Sequence, residues 1–192
     1  MRRVMSTLAL LAGLAAVPAG AQANDLYDVI FGNVKQGKSS PAAMSSIPRE
    51  VVSYSGREAA GTIIVNSPER RLYLVMGDGT ALRYGIGVGR PGFEWGGVQR
   101  ISRKAEWPAW TPPPPMLKRR PDLPRYMEGG PNNPLGARAM YLGGSIFRIH
   151  GSNEPKTIGQ AVSSGCIRMT NEDVTDLYER VRVGAKVVVI RG

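Results

Sequence analysis

The stretch Thr62–Val88, TIIVNSPERRLYLVMGDGTALRYGIGV, decides the fold class. Thr62-Ile63-Ile64-Val65 is dominated by β-branched side chains, and Asn66-Ser67-Pro68-Glu69 has the residue types of a turn. Leu72-Tyr73-Leu74-Val75-Met76 predicts a second strand and Gly77-Asp78-Gly79 a second turn. Leu82-Arg83-Tyr84-Gly85-Ile86-Gly87-Val88 predicts a third strand whose alternation is interrupted by glycines. Short β-rich runs joined by turn signals at this spacing predict an antiparallel meander.

Toward the C-terminus, Ala139–Leu142 and Ile146–Ile149 predict two more strands, the second ending beside His150. Thr170-Asn171-Glu172-Asp173 has the capping side chains and early acids of a helix start. Val174, Leu177, Tyr178 and Val181 then recur at i, i+3, i+4 and i+7, which predicts one amphipathic helix of about ten residues. Gly184 is expected to end it, and Lys186–Ile190 reads as a buried closing strand. Between Arg90 and Arg138 regular patterning is lost. That stretch holds Trp95, Trp107 and Trp110, the run Pro112–Pro115 and the cluster Lys118-Arg119-Arg120. Proline fixes its own φ and supplies no amide, so a long ordered loop is expected there instead of helix or central strand. The proline run alone also fits a ligand for an aromatic groove in another protein.

Toward the N-terminus, residues 24–60 read as a mostly irregular lead-in containing Gly37, Pro41, Pro48 and Gly56. Before it, Arg2 and Arg3 precede the apolar run Leu8–Val17, Pro18 and the small-residue site Ala21-Gln22-Ala23. This is the layout of a signal peptide over residues 1–23, cleaved near Ala23, and the run is short for a bilayer span. An exported protein, soluble in the periplasm or cell envelope with no membrane span in its mature form, is the expectation. The formal net charge of +10 does not point to nucleic acid, because export removes that partner and no nucleic-acid module is present. Membrane surfaces, wall polymers and carboxylate-rich peptides are the polyanions left, with simple solubility as the plain alternative.

Export gives weight to the chain's single cysteine. Secreted domains hold cysteines in pairs, so an unpaired Cys166 is either a reactive thiol or a small buried hydrophobe. Its neighbourhood favours the first. The single histidine, His150, lies sixteen residues upstream in Ile149-His150-Gly151-Ser152, and Cys166 sits in Ser163-Ser164-Gly165-Cys166-Ile167-Arg168. A thiol attacks as its thiolate, which an imidazole or a helix N-terminus favours, and both are in prospect here. Successive amides at Ser164, Gly165 and Cys166 form a nest suited to an acyl oxyanion. Nucleophile, base and oxyanion donors are the parts of acyl transfer through a thioester, with a proton loss near neutral pH. Spacing assigns no third group to orient the imidazole, and a backbone carbonyl beside His150 is one solution. One sulfur and one imidazole do not make a zinc site, so no metal or cofactor is expected.

The same segments, with Asn171-Glu172-Asp173-Val174 and Arg71-Leu72-Tyr73-Leu74-Val75, resemble the L,D-transpeptidase family (the YkuD catalytic domain) over roughly residues 61–191. Members carry a His, some fourteen to seventeen residues, then Ser-His-Gly-Cys and an Arg. The resemblance implies a mainly β fold, a β-sandwich of mixed sheets, with one clear helix after the catalytic Cys and a long Pro/Trp-rich loop. It implies that Cys166 takes the acyl group of a peptidoglycan stem tetrapeptide at the L-centre of meso-diaminopimelate and expels D-alanine. An amine on another stem, or a lysine of a wall-attached lipoprotein, would then resolve the thioester. By the same resemblance His150 is the base, and the Gly151 carbonyl orients its ring. Ser164, Gly165 and Cys166 line the oxyanion hole, Ser163 faces substrate, and Arg168 faces substrate or braces the turn. The loop, with Trp107 and Trp110, becomes a candidate wall over the cleft. Ser164 stands where the family often has His, so all imidazole chemistry must pass through His150. A hydrolase on the same scaffold and a non-catalytic wall-binding module are the competing functions.

Overall fold

The computed structural model describes residues 47–191. The expected signal peptide and most of the expected lead-in lie outside the described residues. No helix among those described is long and apolar enough to cross a membrane.

The meander forms as the pattern predicts. Strands β2 (Ile63–Asn66), β3 (Arg71–Val75) and β4 (Thr80–Gly85) pair antiparallel in sequence order. Their alternate side chains Ile63, Val65, Leu72, Leu74, Leu82 and Tyr84 enter the core. The expected third strand stops at Gly85, and Val88–Gly89 forms a separate short strand, β5. Strand β1 (Glu50–Ser53) pairs antiparallel with β4 and edges the sheet. It lies inside the stretch read as mostly irregular, because only one of its four residues is even partly buried and no apolar alternation marks it.

The closing strand β11 (Lys186–Ile190) lies parallel to β2 on one side and antiparallel to β6 on the other. Strand β6 (Gly97–Glu106) is the largest departure from the sequence reading, which expected a loop there. Of its ten residues only Ile101 is buried, so the period-2 hydrophobic signal is missing. It is held instead by ladders on both edges: Gly97–Arg100 pair with β11, and Ile101–Glu106 pair with β7 (Arg138–Leu142) across an irregularity at Ile101–Arg103. One strand therefore hands the sheet from one half of the domain to the other. Beyond it, β8 (Arg148–His150) pairs antiparallel with β7, and β10 (Ile167–Arg168) pairs parallel with β8. A two-stranded parallel pair joins β5 to β9 (Ala161–Ser163). Both halves close on one core, where Met140, Leu142, Ile149 and Ile167 join the meander residues. The fold is mainly β, with mixed sheets and one main helix, as expected.

Among the described residues, two α-helices flank the strands. Helix α1 (Pro114–Arg119) occupies part of the proline run, where no helix was expected. Pro114 and Pro115 sit at its first two positions, which have no intrahelical acceptor and so need no amide donor. Helix α2 (Asn171–Arg180) begins where the sequence placed it, with Thr170 Oγ1 accepting from the Asp173 amide at 3.1 Å. It ends at Arg180, before Gly184. Val174 and Leu177 bury its apolar face. Two side chains pin it to the sheet. The Tyr84 hydroxyl on β4 donates to Asp176 at 2.7 Å, and Lys104 on β6 donates to the Tyr178 and Val181 carbonyls, both at 2.6 Å. The lysine thus supplies a cation and donors where the helix C-terminus needs them.

Candidate active site

The parallel pairing of β8 and β10 builds the site. Its register sets Ile149 opposite Ile167 and His150 opposite Arg168. Side chains alternate along a strand, so Ile149 and Ile167 share one face and point into the core. Arg148, His150, Cys166 and Arg168 take the other face. All four line one cleft of about 1040 Å³. His150 on β8 and Cys166, the residue just before β10, lie diagonally across this pairing and both line the cleft, with an arginine beside each.

His150 is buried, and its Nδ1 lies 2.6 Å from the Gly151 carbonyl oxygen. A carbonyl only accepts, so Nδ1 carries the proton and donates, and Nε2 keeps its lone pair. Burial, opposed by the hydrogen bond to Gly151 and aided by the positive charges of Arg168 and Arg148, lowers the His150 pKa to about 3. The imidazole is thus a neutral base. Gly151 is needed for space: a Cβ there would meet Asn171 Oδ1 at 2.3 Å and the Ala137 amide nitrogen at 3.0 Å. Asn171 accepts from that Ala137 amide at 2.8 Å, and so braces the start of β7, the strand that pairs with β8.

Cys166 is a free thiol, partly exposed at the cleft. Burial raises its pKa, opposed by the Arg148 charge, a hydrogen bond from the Arg148 backbone amide and the Arg168 charge. Desolvation outweighs these three, so the resting pair is neutral thiol and neutral imidazole. The near-neutral titration expected from sequence is displaced for the same reason: burial moves both groups away from pH 7.

The turn before Cys166 is internally tied. Gly165 has φ +104°, and a Cβ there would meet Phe147 Cε1 at 2.5 Å, so glycine is required on both counts. Ser163 Oγ accepts from the Gly165 amide at 3.1 Å and donates to the Cys166 carbonyl at 2.7 Å. Ser163 is therefore a brace for the turn, and the Gly165 amide is already engaged. Neither the Ser164 amide nor the Cys166 amide has a partner among the described residues. Arg168 reaches Glu154 at 3.0 Å. Trp110 lines the cleft, buried, with a two-way backbone bridge to Met127. Trp107 does not line it: the residue is 43% exposed, and its amide donates to the Ala137 carbonyl.

Sequence reading missed Arg148, Arg90 and Trp95. Arg148 had a signal, since it lies two residues before His150 on the same strand and shares its face. Arg90 approaches Ser164 Oγ at 3.4 Å, and Trp95 donates to the Gly165 carbonyl at 2.6 Å. Both are long-range contacts that no local pattern announces. The cleft is cationic, with Arg90, Arg119, Arg120, Arg148 and Arg168 against Glu94 and Glu154. The buried Arg148 Nε has no hydrogen-bond partner among the described residues. No group of three or more His, Cys, Asp or Glu among the described residues is placed to hold a metal ion. A neutral thiol and a single-tautomer imidazole, beside unpaired amides, can carry out nucleophilic acyl chemistry.

Comparison with known proteins points the same way. Residues 60–189 match the family model described as the L,D-transpeptidase catalytic domain, YkuD. The chain is 40% identical over 137 residues to the Escherichia coli K12 protein named "Probable L,D-transpeptidase ErfK/SrfK", covering 67% of this chain and 43% of that protein. It thus spans about two fifths of the length of the curated relatives it matches. A Brucella melitensis crystal structure described as a probable carnitine operon oxidoreductase is 46% identical at a TM-score of 0.52, covering 77% of this chain and 96% of that one. The catalytic domain of an E. faecium L,D-transpeptidase, solved acylated by ertapenem, shares the fold at 20% identity and a TM-score of 0.54, covering 70% of this chain and all of that one. On the family match and the relatives at this identity, the chain belongs to the L,D-transpeptidase (YkuD) catalytic-domain family.

Proposed function

We propose that this protein is an exported peptidoglycan L,D-transpeptidase that works through a Cys166 thioester. The observation that carries the reading is the His150 Nδ1 to Gly151 carbonyl bond at 2.6 Å. It leaves Nε2 as a free base on the sheet face shared with Cys166. In the first half-reaction the Cys166 sulfur attacks the carbonyl at the L-centre of meso-diaminopimelate in a stem tetrapeptide. Nε2 takes the thiol proton. The oxyanion is met by the Cys166 and Ser164 amides. Collapse expels D-alanine, whose amine leaves with the proton from His150, and a thioester remains. In the second half-reaction an acceptor amine gives its proton to Nε2 and attacks the thioester. The product is a new amide, a 3→3 crosslink or an attachment to a wall lipoprotein, and the thiol is regenerated.

Starting from two neutral groups suits this cleft. Thiol and imidazole become charged only as the reaction proceeds, where Arg148 and Arg168 favour the sulfur's negative charge and disfavour a positive imidazole. The arginine-lined walls suit the carboxylates of stem peptides.

Incubation with disaccharide-tetrapeptide and mass spectrometry of the products tests the reading. Transpeptidation gives a dimer of two monomers less D-alanine. A carboxypeptidase gives the tripeptide with gain of water. Intact substrate after long incubation with folded enzyme would defeat both.

A further inference from the structure

Trp95 and Cys166 belong to distant segments that meet at one peptide group. The Trp95 indole N–H donates to the Gly165 carbonyl at 2.6 Å across seventy residues of sequence. Its ring stacks on Phe147, with centroids 4.5 Å apart and planes 4° from parallel. Phe147 in turn fills the space beside Gly165 that a Cβ would need. The indole is therefore held in place by an aromatic partner that also packs against the turn.

A trans peptide is planar, so the Gly165 carbonyl and the Cys166 N–H point in opposite directions within one rigid unit. Anchoring the carbonyl aims the N–H. Two neighbouring polar groups of the turn are engaged: the Gly165 amide donates to Ser163, and Ser163 donates to the Cys166 carbonyl. The Cys166 N–H faces away from the indole and has no partner among the described residues. A donor on the nucleophile's own backbone sits close to where the oxyanion of an acyl intermediate develops. A hydrogen bond to an amide carbonyl also polarises that amide and strengthens its N–H as a donor.

We propose that Trp95 is a positioning residue for acyl transfer: through the Gly165 carbonyl it sets the direction and strength of the Cys166 N–H as oxyanion donor. The inference rests on the acyl-transfer reading above and is independent of which peptide supplies the acyl group. Trp95 acts here through another group and touches no reacting atom.

Two reagents separate this role from a structural one. Iodoacetamide alkylates the Cys166 sulfur by displacing iodide and forms no oxyanion. p-Nitrophenyl acetate acylates it through a tetrahedral oxyanion and releases nitrophenolate. Both rates are measured on the full chain and on Trp95→Phe, which keeps a ring against Phe147 and loses the donor, with Cys166→Ala as background. Should the phenylalanine variant not fold, β-(3-benzothienyl)alanine at position 95 keeps the indole shape without the N–H. Acylation is expected to fall about tenfold while alkylation stays within about twofold. With disaccharide-tetrapeptide, kcat falls and KM holds. An equal fall in both rates, or unchanged acylation, overturns the proposal. A native chain that is alkylated but acylated by neither ester nor stem peptide refutes the acyl-transfer reading itself, and the proposal with it.

Discussion

The buried neutral imidazole makes folding stability sensitive to acid, and the effect can be isolated. In the folded chain the His150 pKa lies at about 3, against about 6.5 for an exposed histidine in the unfolded chain. Below pH 6.5 the unfolded state therefore binds one more proton at this site than the folded state. Stability contributed by the neutral ring is fully present above pH 6.5 and is lost as pH falls through the window from 6.5 to 3. The slope is about 1.4 kcal/mol per pH unit, so lowering the pH from 6.5 to 4.5 removes about 2–3 kcal/mol through His150 alone. Carboxylates also titrate as pH falls. Asp176 is held below its usual range by Arg180, Tyr84 and Arg49 against burial, and burial raises Asp173. A His150→Asn variant retains both, and its amide can still donate toward Gly151. Urea unfolding of native and variant protein at half-unit pH steps gives the difference directly. The native chain should lose about 2–3 kcal/mol more than the variant between pH 6.5 and 4.5, with unchanged m values. Parallel curves would refute the reasoning, because they would mean that His150 titrates alike in both states.

The same neutral resting pair predicts that kcat/KM of the native enzyme shows no acid limb between pH 5 and 7; a half-maximal rate near pH 6.5 would show an exposed, titrating imidazole. Gly151→Ala forces a Cβ onto Asn171 Oδ1 and displaces the carbonyl that orients His150. Its activity should drop about a hundredfold, read as initial rate, with alkylation of Cys166 retained. Lys104→Met removes the donors at the end of α2, and a loss of about 1 kcal/mol in urea unfolding is expected. Tyr84→Phe leaves Asp176 its arginine partners and removes one charge-assisted bond, so about 1–2 kcal/mol is expected by the same assay, with activity unchanged.

What could be read from the chain divides along a physical line. The meander, α2 and β11 carry apolar residues at the period of their element, so local pattern and burial agree. Strand β6 carries arginines, a lysine and a serine through the middle of the sheet and is defined by its two neighbours instead. Helix α1 starts on prolines, whose breaker role holds only away from the first turn. At the site, the single Cys and single His stood out because each was the sole occupant of its chemical role. The two glycines beside them proved to be required by close approach, at Gly151, and by close approach with a left-handed φ, at Gly165. Trp95 was visible only as one of three tryptophans in an unpatterned stretch. Its bond to Gly165 spans the domain, and only the folded chain brings the two together. Burial also reversed one inference, since sequence neighbours suggested an acid-shifted thiol and desolvation of Cys166 raises it.

The central claim is that Cys166 carries the acyl group. Brief incubation with disaccharide-tetrapeptide, acid quench, and intact-mass and peptide mapping of the protein test it most directly. The account predicts an adduct equal to the donor less D-alanine on the peptide containing Cys166, absent from Cys166→Ala and formed far more slowly by His150→Asn. Product formation by Cys166→Ala, or an adduct mapped to any other residue, would contradict it.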